Sequence, residues 1–362
     1  MKMRTRLKDV AEKLNLSPAL ISGVLNGKAN VWASDETRAR IFEATRELNY
    51  HPSTAAQALS SGKTKRVALV YRRLEGLHYR LAYTGLVDAF SAELQGRGYD
   101  LTVTNFADQA HVLDHLSRLA SSRACDAVVL WGREADTEAQ AELLESLGMP
   151  FFVKGRHEAR HPKWLQVDFD HEWMMENAVR HVVALGHRRV AYLGFPLDDA
   201  FVQALRSGFC RAHEASLGVA PDPSLIGEFE DEAEPNERCI QAWLSLPEGE
   251  RPTAFIIGAG NMAWHGLEAS LARCGRVLGT GPGDCAAAGI VSYYFTLMFG
   301  EAMAYQGIEV DNLAHHAAPS FLDAVLCGEP TEPIVRFRPP LTPAPSLHLP
   351  IVRANLDAPA GR

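Results

Sequence analysis

Several arrangements in the 362-residue chain have residue types and spacing that could do chemistry. Phe255-Ile256-Ile257-Gly258-Ala259-Gly260-Asn261-Met262-Ala263 reads as a strand followed by G-x-G-x-x-A, the turn that sets backbone N–H groups against a dinucleotide pyrophosphate. The acidic partner for the ribose falls at Asp284, which precedes an apolar run instead of ending one, so that contact is not expected. Gly62-Lys63-Thr64 has the form of the end of a phosphate loop, but the glycine needed five residues earlier is Gln57. His111 and His115 share a helix face at i, i+4 without a third ligand, and are expected as surface histidines. No G-x-S-x-G offers a nucleophile elbow. The six cysteines, Cys125, Cys210, Cys239, Cys274, Cys285 and Cys327, form no C-x-x-C and are expected as reduced structural thiols. The sequence therefore predicts no enzyme, no cofactor and no metal.

The elements that carry these residues are constrained by composition. With 47% apolar residues, disorder and collagen-like repeats are excluded, and the length predicts two or three domains. No apolar run reaches the ~18 residues needed to cross a bilayer, and MKMRTRLKDV is charged where a leader would be apolar; a cytoplasmic protein is expected. The net charge of −8 hides a split. Residues 1–65 hold 11 Lys and Arg against 6 Asp and Glu, a balance of +5, which leaves 25 against 38, or −13, for the rest. A basic head on an acidic body suits a polyanion-binding module joined to a sensor.

Within the head, Leu7, Val10, Ala11 and Leu14 recur at i, i+3, i+4, i+7, predicting a helix ended by Asn15 and Leu16. Ser17 can cap a second helix with Pro18 at its first position, burying Leu20 or Ile21, Val24 and Leu25 until Asn26 and Gly27 stop it. Ser34, followed by Asp35 and Glu36, starts a third helix through Ile41, Ala44, Thr45 and Leu48 to Asn49. Three short helices around one tight turn describe a helix-turn-helix or a generic bundle.

The residues resolve that choice. Asp9-Val10-Ala11, Ser17 followed by Ile21-Ser22 and Val24-Leu25-Asn26, Glu36-Thr37-Arg38, Leu48-Asn49-Tyr50, Pro52, Ala56 and Leu59 match in order and spacing, so the head resembles that of the LacI/GalR family of bacterial transcription regulators. The resemblance implies a recognition helix over 17–26 that enters the major groove, with Ser17, Pro18, Ala19, Leu20, Ser22, Gly23 and Asn26 as DNA-facing positions. It further implies a hinge at 53–60 that becomes helical on operator DNA. There Ala56 and Gln57 would face the minor groove, and Leu59 would be the leucine wedge that kinks the central step. Lys8, Lys13, Lys28, Arg38, Lys63 and Lys65 are candidates for phosphate attraction. The chain departs from the family pattern at Pro18, Ala19 and Gly23, the last standing where an arginine is common; specificity should then rest on Ala19 against thymine methyl groups, on the hinge and on DNA deformability.

From Arg66 onward, apolar runs at 67–71, 100–106, 126–132, 151–155, 189–194, 253–260 and 286–293 alternate with helical stretches such as Leu81–Gly96 and Met174–Leu185. Strands buried on both faces between crossover helices imply parallel sheets. The expected fold class is an N-terminal all-α helix-turn-helix head (1–52), a hinge and linker (53–65), and an α/β two-lobed body like a periplasmic binding protein, with two doubly wound parallel sheets (66–338). A Pro-rich tail (339–362), six prolines in 24 residues, should be largely loose. The resemblance continues through Gly85, Gly98-Tyr99, Val167-Asp168 and Gly186-His187-Arg188-Arg189.

That resemblance places an effector cleft at Tyr79 beside His78, Arg133, Arg156, Leu205, Asn261 and Val291. Leu205 stands where relatives that bind neutral sugars carry an arginine, and Asn261 and Val291 where they carry aspartates. Lost acceptors, together with Arg72, Arg73, Arg80, Arg133, Lys154 and Arg156 at strand ends, suggest an anionic carbohydrate derivative, unless Glu75, Glu134 and Glu158 neutralise those cations. The expected protein is a repressor-type regulator controlled by a small-molecule effector, a homodimer on pseudo-palindromic operator DNA. A solute-binding protein of a transport system is the alternative, disfavoured by the basic head and the missing leader.

Overall fold

The computed structural model describes residues 5–26, 31–74, 77–196, 199–229, 238–259, 261–279, 283–291, 306–309, 313–328, 332–339 and 341–343. The chain divides into two units, residues 1–66 with 122–126, and the remainder.

In the first unit, α1 (Leu7–Leu14), α2 (Pro18–Leu25) and α3 (Asp35–Glu47) follow the capping signals. Asn15 turns left-handed at φ 52 to end α1. Ser17 accepts from Leu20 N–H, and Ser34 from Thr37 N–H, each satisfying a donor that the first helical turn leaves without a partner. Val10, Ala11, Ile21, Val24, Ile41 and Ala44 form the buried centre; Ile21 takes the core position that the sequence left open between it and Leu20. Residues of the expected hinge form α4 (Thr54–Ser61), closed by Gly62 at φ 71. After α4, the linker is held by one carboxylate: Asp126 accepts from Thr64 N–H (2.7 Å), Thr64 Oγ1 (2.8 Å) and Lys65 N–H (3.0 Å).

The second unit contains two sheets. The first, ordered β11-β5-β4-β3-β1-β2, comprises β1 (Arg66–Arg72), β2 (Asp100–Phe106), β3 (Ala127–Leu130), β4 (Phe151–Lys154), β5 (Gln166–Phe169) and β11 (Ile334–Phe337). The second, ordered β12-β10-β9-β8-β6-β7, comprises β6 (Val190–Gly194), β7 (Ile226–Glu228), β8 (Ala254–Gly258), β9 (Ala286–Val291), β10 (Gln306–Glu309) and β12 (Leu341–Pro343). β3, β5, β6 and β8 are buried along their whole length, as strands covered by helices on both faces must be. The helices are α5 (Leu77–Gly96), α6 (Gln109–Ser122), α7 (Glu134–Ser146), α8 (His171–Ala184), α9 (Ala200–Leu217), α10 (Arg238–Leu244), α11 (Asn261–Arg273) and α12 (Leu313–Leu322).

The chain passes between lobes three times. It crosses from β5 to α8, which packs on α9; from β10 to α12, which packs on α5; and from β11 to β12. β5, β7, β10, β11 and β12, of three or four residues each, add to the strands expected from the apolar runs. Within the Pro-rich segment 339–362, expected to be largely loose, Leu341–Pro343 pairs antiparallel with Gln306–Ile308 at a sheet edge, where proline's missing donor is tolerated, and residues 344–362 lie outside the described residues. α8 and α9 meet at Gly208, where a Cβ would lie 2.7 Å from Glu172 Cα, so only glycine allows that approach. None of the six cysteines is in a disulfide. No described helix is long and apolar enough to cross a membrane.

Candidate nucleic-acid interface and ligand cleft

The first turn of α2 presents Ser17, Pro18 and Ala19 to solvent, with Leu20 half-buried. Ser22, Asn26 and Gln57, far apart in sequence, form one strut: Asn26 Nδ2 donates to Ser22 Oγ (3.2 Å), and Gln57 Nε2 donates to Asn26 Oδ1 (3.1 Å). The strut ties α4 to the end of α2 and uses polar groups that the sequence assigned to DNA. On α4, Ala56 is exposed and Leu59 is 92% exposed, an apolar side chain that the fold leaves without cover.

Gly23 is a correction. Counted as a DNA-facing position, it is buried, and a Cβ there would lie 2.4 Å from Val31 Cγ2 and 3.2 Å from Val31 Cβ. The space that a side chain would need is filled by the segment leading into α3. Gly23→Arg should therefore overpack the head and cost ~1–3 kcal/mol instead of restoring guanine reading. Hydrogen exchange on the full chain should show protection lost across α1–α3, and Val31→Ala in the same chain should return part of it.

Two phosphate candidates are also engaged elsewhere. Lys13 pairs with Glu47, and Arg38 donates to the carbonyls of Val31 (3.2 Å) and Ala33 (3.3 Å). Lys8 is exposed, and Lys28 lies outside the described residues. Sequence reasoning missed Trp32, which is 90% exposed between those two anchored carbonyls; the signal available was an aromatic residue inside a polar turn.

In the body, the strand-end cations meet carboxylates, many across the two lobes. Arg133, just before α7, grips Asp199, just before α9, through Nε–Oδ2 (2.5 Å) and Nη2–Oδ1 (2.9 Å). Beside it, Glu134 Oε2 accepts the Ala200 N–H at 2.9 Å, satisfying a free donor at the start of α9. Arg156, after β4, holds both oxygens of Glu172 on α8 at 3.0 and 2.8 Å. Arg72 bonds Asp136 at 2.7 Å. These pairs neutralise Arg72, Arg133 and Arg156 among the strand-end cations, through carboxylates that arrive from other segments of the chain. A 430 Å³ cavity at this junction is lined by Glu134, Glu138, Glu158 and Glu172 against Arg156 and Arg160.

At the end of β4, Lys154 Nζ lies 3.3 Å from Asp168 Oδ1 and sits over Trp131 (5.6 Å) and Phe201 (5.5 Å). Asp168 is 1% exposed; burial pushes its carboxyl up, but Lys154, then His171, hold it below the ordinary carboxylate value. His171 is pushed down to about 4, first by burial and against the attraction of Asp168; Lys154 and Arg156 act with burial, Glu172 against it. Its Nδ1 makes no hydrogen bond.

A histidine that is neutral when folded and protonatable near 6.5 when unfolded favours unfolding as pH falls between those values. Thermal unfolding should lose stability from pH 6.5 towards about 4, by at most about 1.4 kcal/mol per pH unit for His171. His157, lowered chiefly by burial, adds to it. Calorimetry in two buffers of different ionisation enthalpy should show proton uptake on unfolding at pH 5.5; none would remove the buried neutral imidazole.

Leu205 is the second correction among the expected site residues. It is fully buried in the core shared by the lobes and presents nothing to a cleft, because α9 turns that face onto the packed interior. Tyr79, Asn261 and Val291 lie at the start of α5, the start of α11 and the end of β9, and their side chains are outside the described residues. His111 pairs with exposed Asp108 at 2.7 Å, and His115 packs on Phe106, the surface roles expected.

Comparison with known proteins gives two family matches: residues 6–53 to bacterial regulatory proteins of the lacI family, and residues 64–304 to the periplasmic binding proteins and sugar-binding domain of the LacI family. The HTH-type transcriptional regulator AglR of Rhizobium meliloti is 31% identical over 278 residues, 77% of this chain and 76% of that protein. RafR of Escherichia coli, also an HTH-type transcriptional regulator, is 30% identical over 276 residues, 75% of this chain and 78% of that protein. In fold, the chain is similar to the lac repressor dimer bound to operator and the anti-inducer ONPF (TM-score 0.71, 20% identity, 92% of this chain and 96% of that one). It is also similar to a complex of the transcriptional regulator CelR with cellobiose (TM-score 0.57, 21% identity, 92% and 96%).

Proposed function

The chain belongs to the LacI family of bacterial regulatory proteins, DNA-binding transcription regulators, and from that premise we propose a repressor that binds a pseudo-palindromic operator as a homodimer and releases or holds it according to a carbohydrate-class effector. The observation that carries the DNA half is the pairing of an exposed Ser17-Pro18-Ala19 turn with an exposed Leu59 in one basic unit. Ser17, Pro18, Ala19 and Leu20 meet the major groove, Ala56 and Leu59 the minor groove, while Ser22, Asn26 and Gln57 set the angle between their helices.

For the effector, the sequence alone favoured an anion, and the ion pairs move the reading to a neutral polyhydroxylated ring. An anion would have to displace Asp199 from Arg133 or Glu172 from Arg156, each a two-bond grip. A neutral sugar displaces no ion pair and needs only mixed donors and acceptors, which Gln203, Ser207, Arg160 and the carboxylates of Glu134 and Glu138 supply around the 430 Å³ cavity. Cellobiose in the fold neighbour CelR is of that class.

Selection of duplexes from a random pool by the full-length protein, followed by sequencing, tests the DNA half: a palindrome with a flexible central step supports it, and absence of enrichment sinks it. Calorimetry with neutral disaccharides against uronates and aldonates tests the effector half. Binding by acids alone would return the reading to an anion.

A further inference from the structure

We propose that Trp32 is a specificity-determining contact to operator DNA, an apolar anchor presented by the segment that leads into α3; the inference rests on the DNA-binding reading above.

Three observations carry it. Trp32 is 90% exposed, leaving on the order of 200 Å² of mostly apolar surface in water. Its backbone is fixed on both sides, because the Arg38 guanidinium donates to the carbonyls of Val31 and Ala33. The outward position is thus a property of an anchored turn. Finally, Val31 occupies the space over Gly23, so the residue next to Trp32 is packed against α2. The missing side chain at position 23 and the presented one at position 32 are two sides of one packing arrangement.

The charge around Trp32 selects the kind of surface that it meets. Residues 1–65 carry +5 overall, which draws in a duplex, but Asp35 and Glu36 open α3 only three and four residues later and disfavour a phosphate at this spot. An indole N–H with a broad apolar face then fits deoxyribose edges and thymine methyl groups better than the phosphate chain. Trp32 should therefore add preference for A·T pairs at one position of each half-site, where an arginine would have asked for guanine.

The test uses full-length protein and the duplex enriched by the wild type in the selection above; failure to enrich any duplex would strike the DNA-binding reading itself, before this one is reached. With that duplex, Trp32→Ala should weaken binding about tenfold to a hundredfold, and Trp32→Phe should keep most of it. The dependence of affinity on salt should be unchanged, since no counterion is released by an indole. Iodide quenching of tryptophan fluorescence, measured as the difference between wild type and Trp32→Phe, should fall when the duplex is added. Repeating the selection with Trp32→Ala should lose the A·T preference at one position per half-site. Equal affinity for wild type and Trp32→Ala with unchanged iodide access would overturn the proposal. So would a mass in sedimentation that drops in Trp32→Ala without DNA, which would assign the side chain to self-association.

Discussion

Leu59→Ala should lower affinity for the selected palindrome by about a hundredfold while leaving affinity for an unselected duplex of equal length unchanged. Leu59 is 92% exposed on α4, so its removal opens no cavity and exposes no partner in the free protein. On the proposed wedge role, its contribution arises only when it enters a base step, where unstacking costs a few kcal/mol and the bend allows further contact. Non-specific affinity arises from phosphate neutralisation, in which a leucine takes no part. Gel-shift titrations on both duplexes, with circular permutation to read the bend, separate these terms. Equal losses on both duplexes would mean that Leu59 supports α4 instead of deforming DNA, and no loss on either would remove the wedge.

Asp199→Ala should destabilise the body by about 2 kcal/mol and weaken effector binding about tenfold. Asp199 is 7% exposed and receives two hydrogen bonds from Arg133, whose side chain is about one-third exposed; removing the carboxylate leaves the guanidinium partly buried without its counter-ion. Solvent reaching Arg133 keeps the cost below that of a fully buried pair. The pair joins the two lobes, so losing it favours their separation, and an effector that binds between them must then recover that difference. The double variant Arg133→Met, Asp199→Leu should regain most of the thermal stability, because both desolvation penalties disappear together. Denaturation midpoints and calorimetry with the best-binding sugar read the two effects; a double variant no more stable than Asp199→Ala would refute the explanation.

The head was legible almost residue by residue, since its signals are local. Ser17 and Ser34 cap helices three residues away, Asn15 ends one in a left-handed turn, and Val10, Ala11, Ile21, Val24, Ile41 and Ala44 follow the 3.6-residue period. What is not legible there involves distance: nothing in the helix of Gly23 indicates Val31 above it, and the acceptors that engage Arg38 and Lys13, both candidates for phosphate attraction, arrive from elsewhere in the chain.

In the body, the sequence determined the class of fold, because long apolar strands alternating with amphipathic helices can be buried only as parallel sheets covered on both sides. Tertiary structure alone decided that β11 returns to the first sheet and β12 to the second, that Leu205 faces the core, and that Arg133 and Arg156 are neutralised across the lobes. The physical reason is range. Caps, helical periods and strand burial act within a few residues and are written in neighbouring letters. Ion pairs such as Arg133–Asp199, 66 positions apart, come into being only when the lobes bring their ends together, and the charge of a cleft is the sum of partners that the sequence lists far from one another.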